Sequence, residues 1–592
     1  MELYAIKVNG WENPLGFDYG VPQCSWKVRG NTGARQEWTR ILVGLDKGLQ
    51  TAVFQKEGRL NSAGESLDFP LEPYTRYWYS IAVRSDQGEE AVSQPCFFET
   101  GKLDAPWEGK WIGVEQGDTH PEFQTSFSLT EKPRSTRLYL CGLGLFEAYL
   151  NGEKVGNDLL APFLNDYTEH FQYCTYDVTS LLAENNTLSV LLGDGWYRGH
   201  FGLGEPTHYE RPLALIAEIR MEFADGHTET ICSDPTWQYR SSFTTLSDIY
   251  NGETQDYTKA PGAWKRPVLV PAPGKLCDRY SSPLHYMESF CVKEVIHTPA
   301  GETVLDFGQN FAGHVICTQP VPQGTTMTLE FGEVLQNGNF YHKNYRHAES
   351  KFTYVSDGVR REIRPRFTFF GFRYVKVSGL DHVEPACFEG RAIYSEMDRT
   401  GFLQTGNEKI NQLFSNSVWG LKSNFLDLPT DCPQRDERLG WTGDAQVFCT
   451  TAGFHMDTRA FYRKFLRDLR GDQRRNNGAV AIYLPNAFPG LCAGIWSDAA
   501  AFIPKMLYDY YGSEVLLEET YPLMRDWVDF VYRADCARGQ KNLYDFGFQF
   551  GDWLALDGST EQSTFGRTDN GYVCSLYYYA STCYVARAAE IL

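Results

Sequence analysis

The hydrophobic pattern of this chain changes period once, near residue 400, and that change decides the architecture. Before it, apolar and polar residues alternate along short runs such as Gln23–Arg29 (QCSWKVR), Tyr77–Arg84 (YWYSIAVR) and Phe370–Leu380 (FGFRYVKVSGL). Period two marks strands with one buried face. After it, Ile410, Leu413, Phe414, Leu421 and Phe425 recur three and four apart, on one face of a helix. Further helices are expected over 444–455, 458–475, 496–511, 513–533 and 571–592, with Thr458 and Ser513 as N-caps and Gly512 as a C-terminal glycine. With 592 residues, the chain needs several cores, because domains run to about 100–200 residues. The order expected is three β-units, then one α-unit.

The boundaries follow the strand runs. Residues 1–101 read as a small β-sandwich whose closing phrase, Gln94–Leu103, resembles the last strand of a fibronectin type III-like module. Residues 105–275 read as a jelly-roll-like β domain with a hairpin turn at Asn151–Gly152. Within it, Leu191–Gly202 (LLGDGWYRGHFG) sets Trp196 and Tyr197 among glycines, read as a packed corner ahead of a sugar-binding patch. Residues 276–395 read as a second β-sandwich domain, and 396–592 as the helical unit.

Composition limits the partners. Aromatic residues reach 15%; β-cores account for most of them, and the rest are available to stack on sugar rings. A formal charge of −20 opposes nucleic acid and anionic membranes, and neutral sugars tolerate it. No apolar run approaches the roughly 18 residues that span a bilayer. The fifteen cysteines, from Cys24 to Cys583, show no C-x-x-C spacing. Free thiols in a reducing compartment are therefore expected, and the N-terminus has no signal-peptide pattern, so the expectation is cytoplasmic. No cofactor and no metal is called for.

Chemistry concentrates in Asp431–Gln446, DCPQRDERLGWTGDAQ, where Asp431, Asp436, Glu437 and Asp444 crowd together with Arg435, Arg438 and Trp441. Pro429, Pro433 and the glycines make this a loop between helices. Glycoside cleavage needs one carboxylic acid to protonate the leaving oxygen and a second carboxylate on the far side of the sugar. Neighbouring carboxylates and an apolar wall would keep such an acid protonated, and both are local here. The alternative is a solvated run of ion pairs ahead of a capped helix.

The loop closely resembles the signature loop of bacterial α-L-rhamnosidases of glycoside hydrolase family 78. Gly193–Gly199 (GDGWYRG), Asp306–Val315 (DFGQNFAGHV) and Gly551–Leu554 (GDWL) are similar to further segments of that family, and the likeness covers essentially the whole chain. The resemblance implies an (α/α)6 catalytic barrel and hydrolysis of terminal α-L-rhamnosides with inversion. It implies Glu437 as the general acid, and Asp431, Arg435, Trp441 and Asp444 as substrate-binding residues, with Trp496 and Trp553 as two further pocket aromatics. A complete barrel of this kind has twelve helices, so the fold class expected is three N-terminal β-sandwich domains followed by an incomplete (α/α)6 barrel. The general base, a glutamate in the family's second half-barrel, is then expected beyond Leu592. The 592-residue chain is accordingly expected to be a fragment that hydrolyses poorly. A non-catalytic rhamnose-binding protein is the alternative, and a lyase on a related barrel ranks below it.

Overall fold

The computed structural model describes residues 1–592 except 116, 118–119, 201, 203–210 and 487–488. The first β-unit is a sandwich. A three-stranded sheet (Glu2–Val8, Gln23–Arg29, Glu65–Ser66) packs on a five-stranded one (Gln36–Gly44, Ala52–Gly58, Arg76–Ser85, Glu90–Val92, Cys96–Glu99). Alternation buries Val8, Cys24 and Trp26 from one sheet against Ile41, Val43 and Tyr79 from the other.

The second unit pairs a five-stranded and a seven-stranded sheet, and the expected hairpin turn joins Leu145–Leu150 to Glu153–Lys154. Trp196 and Tyr197 are both buried and belong to the core of this unit, so the glycine-flanked corner is a packed one. Phe201, at the end of the same phrase, lies outside the described residues.

The third unit is built on one large sheet. Nine of its strands form one continuous hydrogen-bonded sheet, and Val334–Gln336 and Asn339–Tyr341 form a separate hairpin. The long strand Thr303–Cys317 shifts register between Asp306 and Phe311, bending around a core of Phe307, Phe311, Phe331, Phe370 and Phe372. Strands from before the boundary expected at 275/276 enter this sheet. Thr244–Asp248 and Gly252–Asp256 already belong to this sheet, the latter pairing in parallel with Lys351–Val355, while Val268–Leu269 and Lys275–Asp278 return to the second unit. A local strand pattern identifies strands but not the sheet that receives them.

Among the described residues six helices follow: α1 Glu408–Asn424, α2 Thr442–His455, α3 Arg459–Arg475, α4 Ala499–Tyr511, α5 Glu514–Cys536 and α6 Asn570–Ile591. Ser513 caps α5 by accepting from the Leu516 N–H, and Gly512 closes α4 in the left-handed region. Thr458 makes no such cap. In α1 only the C-terminal part of the expected face is covered: Leu421 and Phe425 are buried, whereas Ile410 and Leu413 are exposed. No helix among the described residues is long and apolar enough to cross a membrane.

All three β-units touch the helices. Arg467 of α3 pairs with Asp18 of the first unit at 2.6 Å. The second unit's Leu164 N–H donates to Asp427, which with Asp468 holds the buried Lys464 of α3. The third unit's Glu288 pairs with Lys422 of α1. These seatings place the α1–α2 loop between the helices and the second and third β-units.

Candidate active site

The α1–α2 loop is pinched by backbone bonds and then locked from inside. Asp431 N–H donates to the Leu439 carbonyl at 3.0 Å, and Leu439 N–H returns a bond to the Asp431 carboxylate at 3.2 Å. Arg438, buried and at a φ of +46°, donates to the carbonyls of Ile249, Phe369 and Gln434. Its guanidinium thus fastens the loop to the third β-unit and is spent on structure. Gly371 lets the third sheet approach closely, since a Cβ there would stand 2.9 Å from Pro433 and Gln434. The loop then leaves as a two-residue strand, Gly440–Trp441, paired with Tyr483–Leu484.

Three of the expected residues meet directly. The Arg435 guanidinium lies 3.0 Å from both Asp431 Oδ2 and Glu437 Oε2. Burial, and then the charge of Glu437, push the Asp431 carboxyl up to about 6. Asp444, in the first turn of α2, is raised by burial and by the same charge. Glu437 is instead flanked by two cations, because Arg346 Nη2 also reaches its Oε2 at 2.8 Å. Asp431 and Asp444 line one open cleft of about 400 Å³ between α1 and α2, with Asn424, Pro429, Val447 and Phe448.

The aromatic residues form a connected wall whose hub is Phe550. Trp441 meets Tyr483 and Phe550, with ring centroids 4.9 and 6.1 Å away. Trp496 lies 4.4 Å from Phe550 and is buried, seated on Gly443, where a Cβ would fall 2.6 Å from its indole. Trp553, half-exposed, is the outer member, 5.3 Å from Phe550 and 5.4 Å from Phe565. Trp496 and Trp553 thus join the wall through Phe550 and not through Trp441.

Several members carry no motif signal. Phe550 and Tyr483 are aromatics in an aromatic-rich chain. Tyr250, whose hydroxyl donates to the Glu437 carbonyl at 3.0 Å, and Arg346 come from the β-units, far away in sequence. Long-range contact alone reveals them. Among the described residues, no group of three or more His, Cys, Asp or Glu is placed to hold a metal ion.

A helical unit that presents clustered carboxylates beside an aromatic wall, carried on three β-units, fits a multidomain glycoside hydrolase. Family descriptions match along the chain. A bacterial α-L-rhamnosidase six-hairpin glycosidase domain covers residues 398–592, an α-L-rhamnosidase N-terminal domain covers 131–275, a bacterial α-L-rhamnosidase concanavalin-like domain covers 296–394, and a Rha78A-like N-terminal immunoglobulin domain covers 3–104. An α-L-rhamnosidase of Alteromonas sp. is 31% identical over 99% of this chain and 67% of its own length. One of Streptomyces avermitilis is 34% identical over 84% of this chain and 49% of its own. The crystal structure of a Streptomyces avermitilis α-L-rhamnosidase complexed with L-rhamnose superposes with a TM-score of 0.91 at 25% identity, covering 100% of this chain and 75% of that one. The chain belongs to the α-L-rhamnosidases of glycoside hydrolase family 78. It spans between 49% and 67% of the length of the two sequence relatives.

Proposed function

We propose that this polypeptide acts in the hydrolysis of terminal, non-reducing α-L-rhamnosyl residues with inversion, Glu437 delivering the proton to the departing oxygen. The observation that carries the reading is the convergence of Asp431 and Glu437 on the Arg435 guanidinium beside the wall of Trp441 and Phe550. Two buried donors there have no protein partner, Trp441 Nε1 and Arg435 Nε. A sugar presents hydroxyl acceptors that satisfy such donors, and its C–H face suits an indole. Asp431, Asp444 and Arg435 are proposed to hold the rhamnose hydroxyls, Trp441 and Trp496 its apolar face, and Trp553 the outer rim. An inverting reaction also needs a carboxylate that activates water on the opposite face; we assign none of the acidic residues in 1–592 to it. The fifteen cysteines, all free thiols in this fold, support a reducing, cytoplasmic location.

The test is hydrolysis of 4-nitrophenyl α-L-rhamnoside by the 592-residue chain beside a form extended through its reading frame, with the released anomer followed by NMR. Release of β-L-rhamnose supports inversion, and release of the α-anomer overturns it. Turnover by the 592-residue chain itself places the base among its residues; turnover by the extended form alone places it beyond. Glu437→Gln lowers turnover of an alkyl rhamnoside by roughly 10²–10⁴-fold in the active form. Rhamnose binding measured by calorimetry, with no turnover by either form, favours the non-catalytic reading instead.

A further inference from the structure

Glu437 is fixed partly from outside its own domain. In the third β-unit the hairpin Val334–Gln336/Asn339–Tyr341 runs into a single 3-10 turn, Lys343–Tyr345. Tyr345 anchors that turn: it is fully buried, and its hydroxyl donates to the Gly371 carbonyl at 2.7 Å. Gly371 is the residue on which the signature loop packs, so turn and loop share one support. Arg346 follows with φ +60° and ψ −107°, a conformation that L-residues with a Cβ rarely adopt. Strain of this sort persists where surrounding contacts fix it, and here they do. Arg346 Nε donates to Asp436 Oδ1 at 2.6 Å and Nη2 to Glu437 Oε2 at 2.8 Å. His347 adds its backbone N–H and Nδ1 to Asp436 Oδ2, at 3.3 and 2.9 Å.

We propose that Arg346 is a positioning residue for Glu437, sharing Oε2 with Arg435 so that Oε1 is the oxygen that carries the proton to the substrate. Arg435 divides the same nitrogen between Glu437 and Asp431. Arg346 is oriented independently by Asp436, which is buried. As the C1–O bond breaks, its electron pair goes to the glycosidic oxygen, and the Oε1–H proton moves onto that oxygen. Glu437 is left as a carboxylate between two guanidiniums, which stabilise the charge it has just acquired. The groups facing Glu437 are Arg346 and Arg435 as cations and Asp431 and Asp444 as anions, with Asp436 and His347 behind Arg346.

This inference rests on Glu437 being the acid, and the test separates the two. A general acid matters most when the leaving group is poor. In whichever form of the protein turns over, Arg346→Met is expected to lower kcat/KM for methyl α-L-rhamnoside by about tenfold or more, and for 4-nitrophenyl α-L-rhamnoside by about threefold or less. Arg346→Lys keeps the charge and recovers part of the methyl-rhamnoside rate; it also serves if the methionine variant does not fold, showing the same leaving-group order with a smaller loss. Equal losses on both substrates, or none on either, overturn the proposal. If Glu437→Gln shows the leaving-group signature and neither Arg346 variant does, Arg346 alone is refuted. If Glu437→Gln lacks it, or no form hydrolyses either substrate, the assignment of Glu437 falls and this proposal with it.

Discussion

Each charged residue of the signature loop does a different job, although the sequence presents them as one cluster. Arg438 is enclosed by carbonyls and by the rings of Tyr250 and Phe369, whereas Arg435 faces carboxylates. Asp436 anchors Arg346 and His347, whereas Asp431 is crowded by Glu437. The Asp431 shift has a stability consequence of definite sign. Its folded pKa, about 6, lies above the ordinary 3.8, so the folded state holds the proton more tightly. That contribution is fully present below about pH 4 and is lost as pH rises through 6, up to about 3 kcal/mol in all. Asp431→Asn removes the titration, so the Tm difference, variant minus wild type, should grow between pH 4 and pH 7. A difference independent of pH shows that the carboxyl titrates normally. The cluster was legible in the sequence as carboxylates with a tryptophan in a loop. The division of labour was not, because it depends on which side chains are buried and what they face.

At the level of elements, caps and close approaches set how well the helices present the site. Ser513 accepts from Leu516 N–H at 3.2 Å, capping α5, and donates to Gln23 of the first β-unit at 2.8 Å. Ser513→Ala is expected to cost about 1–2 kcal/mol in urea unfolding; no change shows that water replaces both bonds. Gly443 opens α2 and is the floor under Trp496. A methyl group there must displace the indole, so Gly443→Ala should cost about 1–3 kcal/mol and weaken rhamnose binding in calorimetry. Unchanged binding removes Trp496 from the sugar site. The six helices and the Gly512–Ser513 junction followed from periodicity and capping chemistry. Thr458 looked equally suitable as a cap and makes none, since its hydroxyl is buried without a partner. A cap is a matter of hydroxyl direction as well as residue type.

Across the whole molecule, the β-units are structural partners of the helical unit. Lys464 of α3 is enclosed with Asp427 and Asp468 at 3.1 and 2.9 Å, and Asp427 also accepts from Leu164 of the second unit. Lys464→Met leaves two buried acids without their cation, a loss of roughly 3–5 kcal/mol by denaturant unfolding. A loss below 1 kcal/mol shows that the acids take up protons at little expense. The sequence by itself determined the order of β and α, the number of helices and the loop that carries the carboxylates. Those features are local: periods of 2 and 3.6, turn residues and a contiguous motif are each read within about twenty residues. Only the tertiary structure decided that 244–256 joins the third sheet, that Phe550 links Trp441 to Trp496 and Trp553, and that Arg346 reaches Glu437. Residues so distant along the chain meet because packing of buried faces sets where each unit sits, and no local pattern encodes that distance.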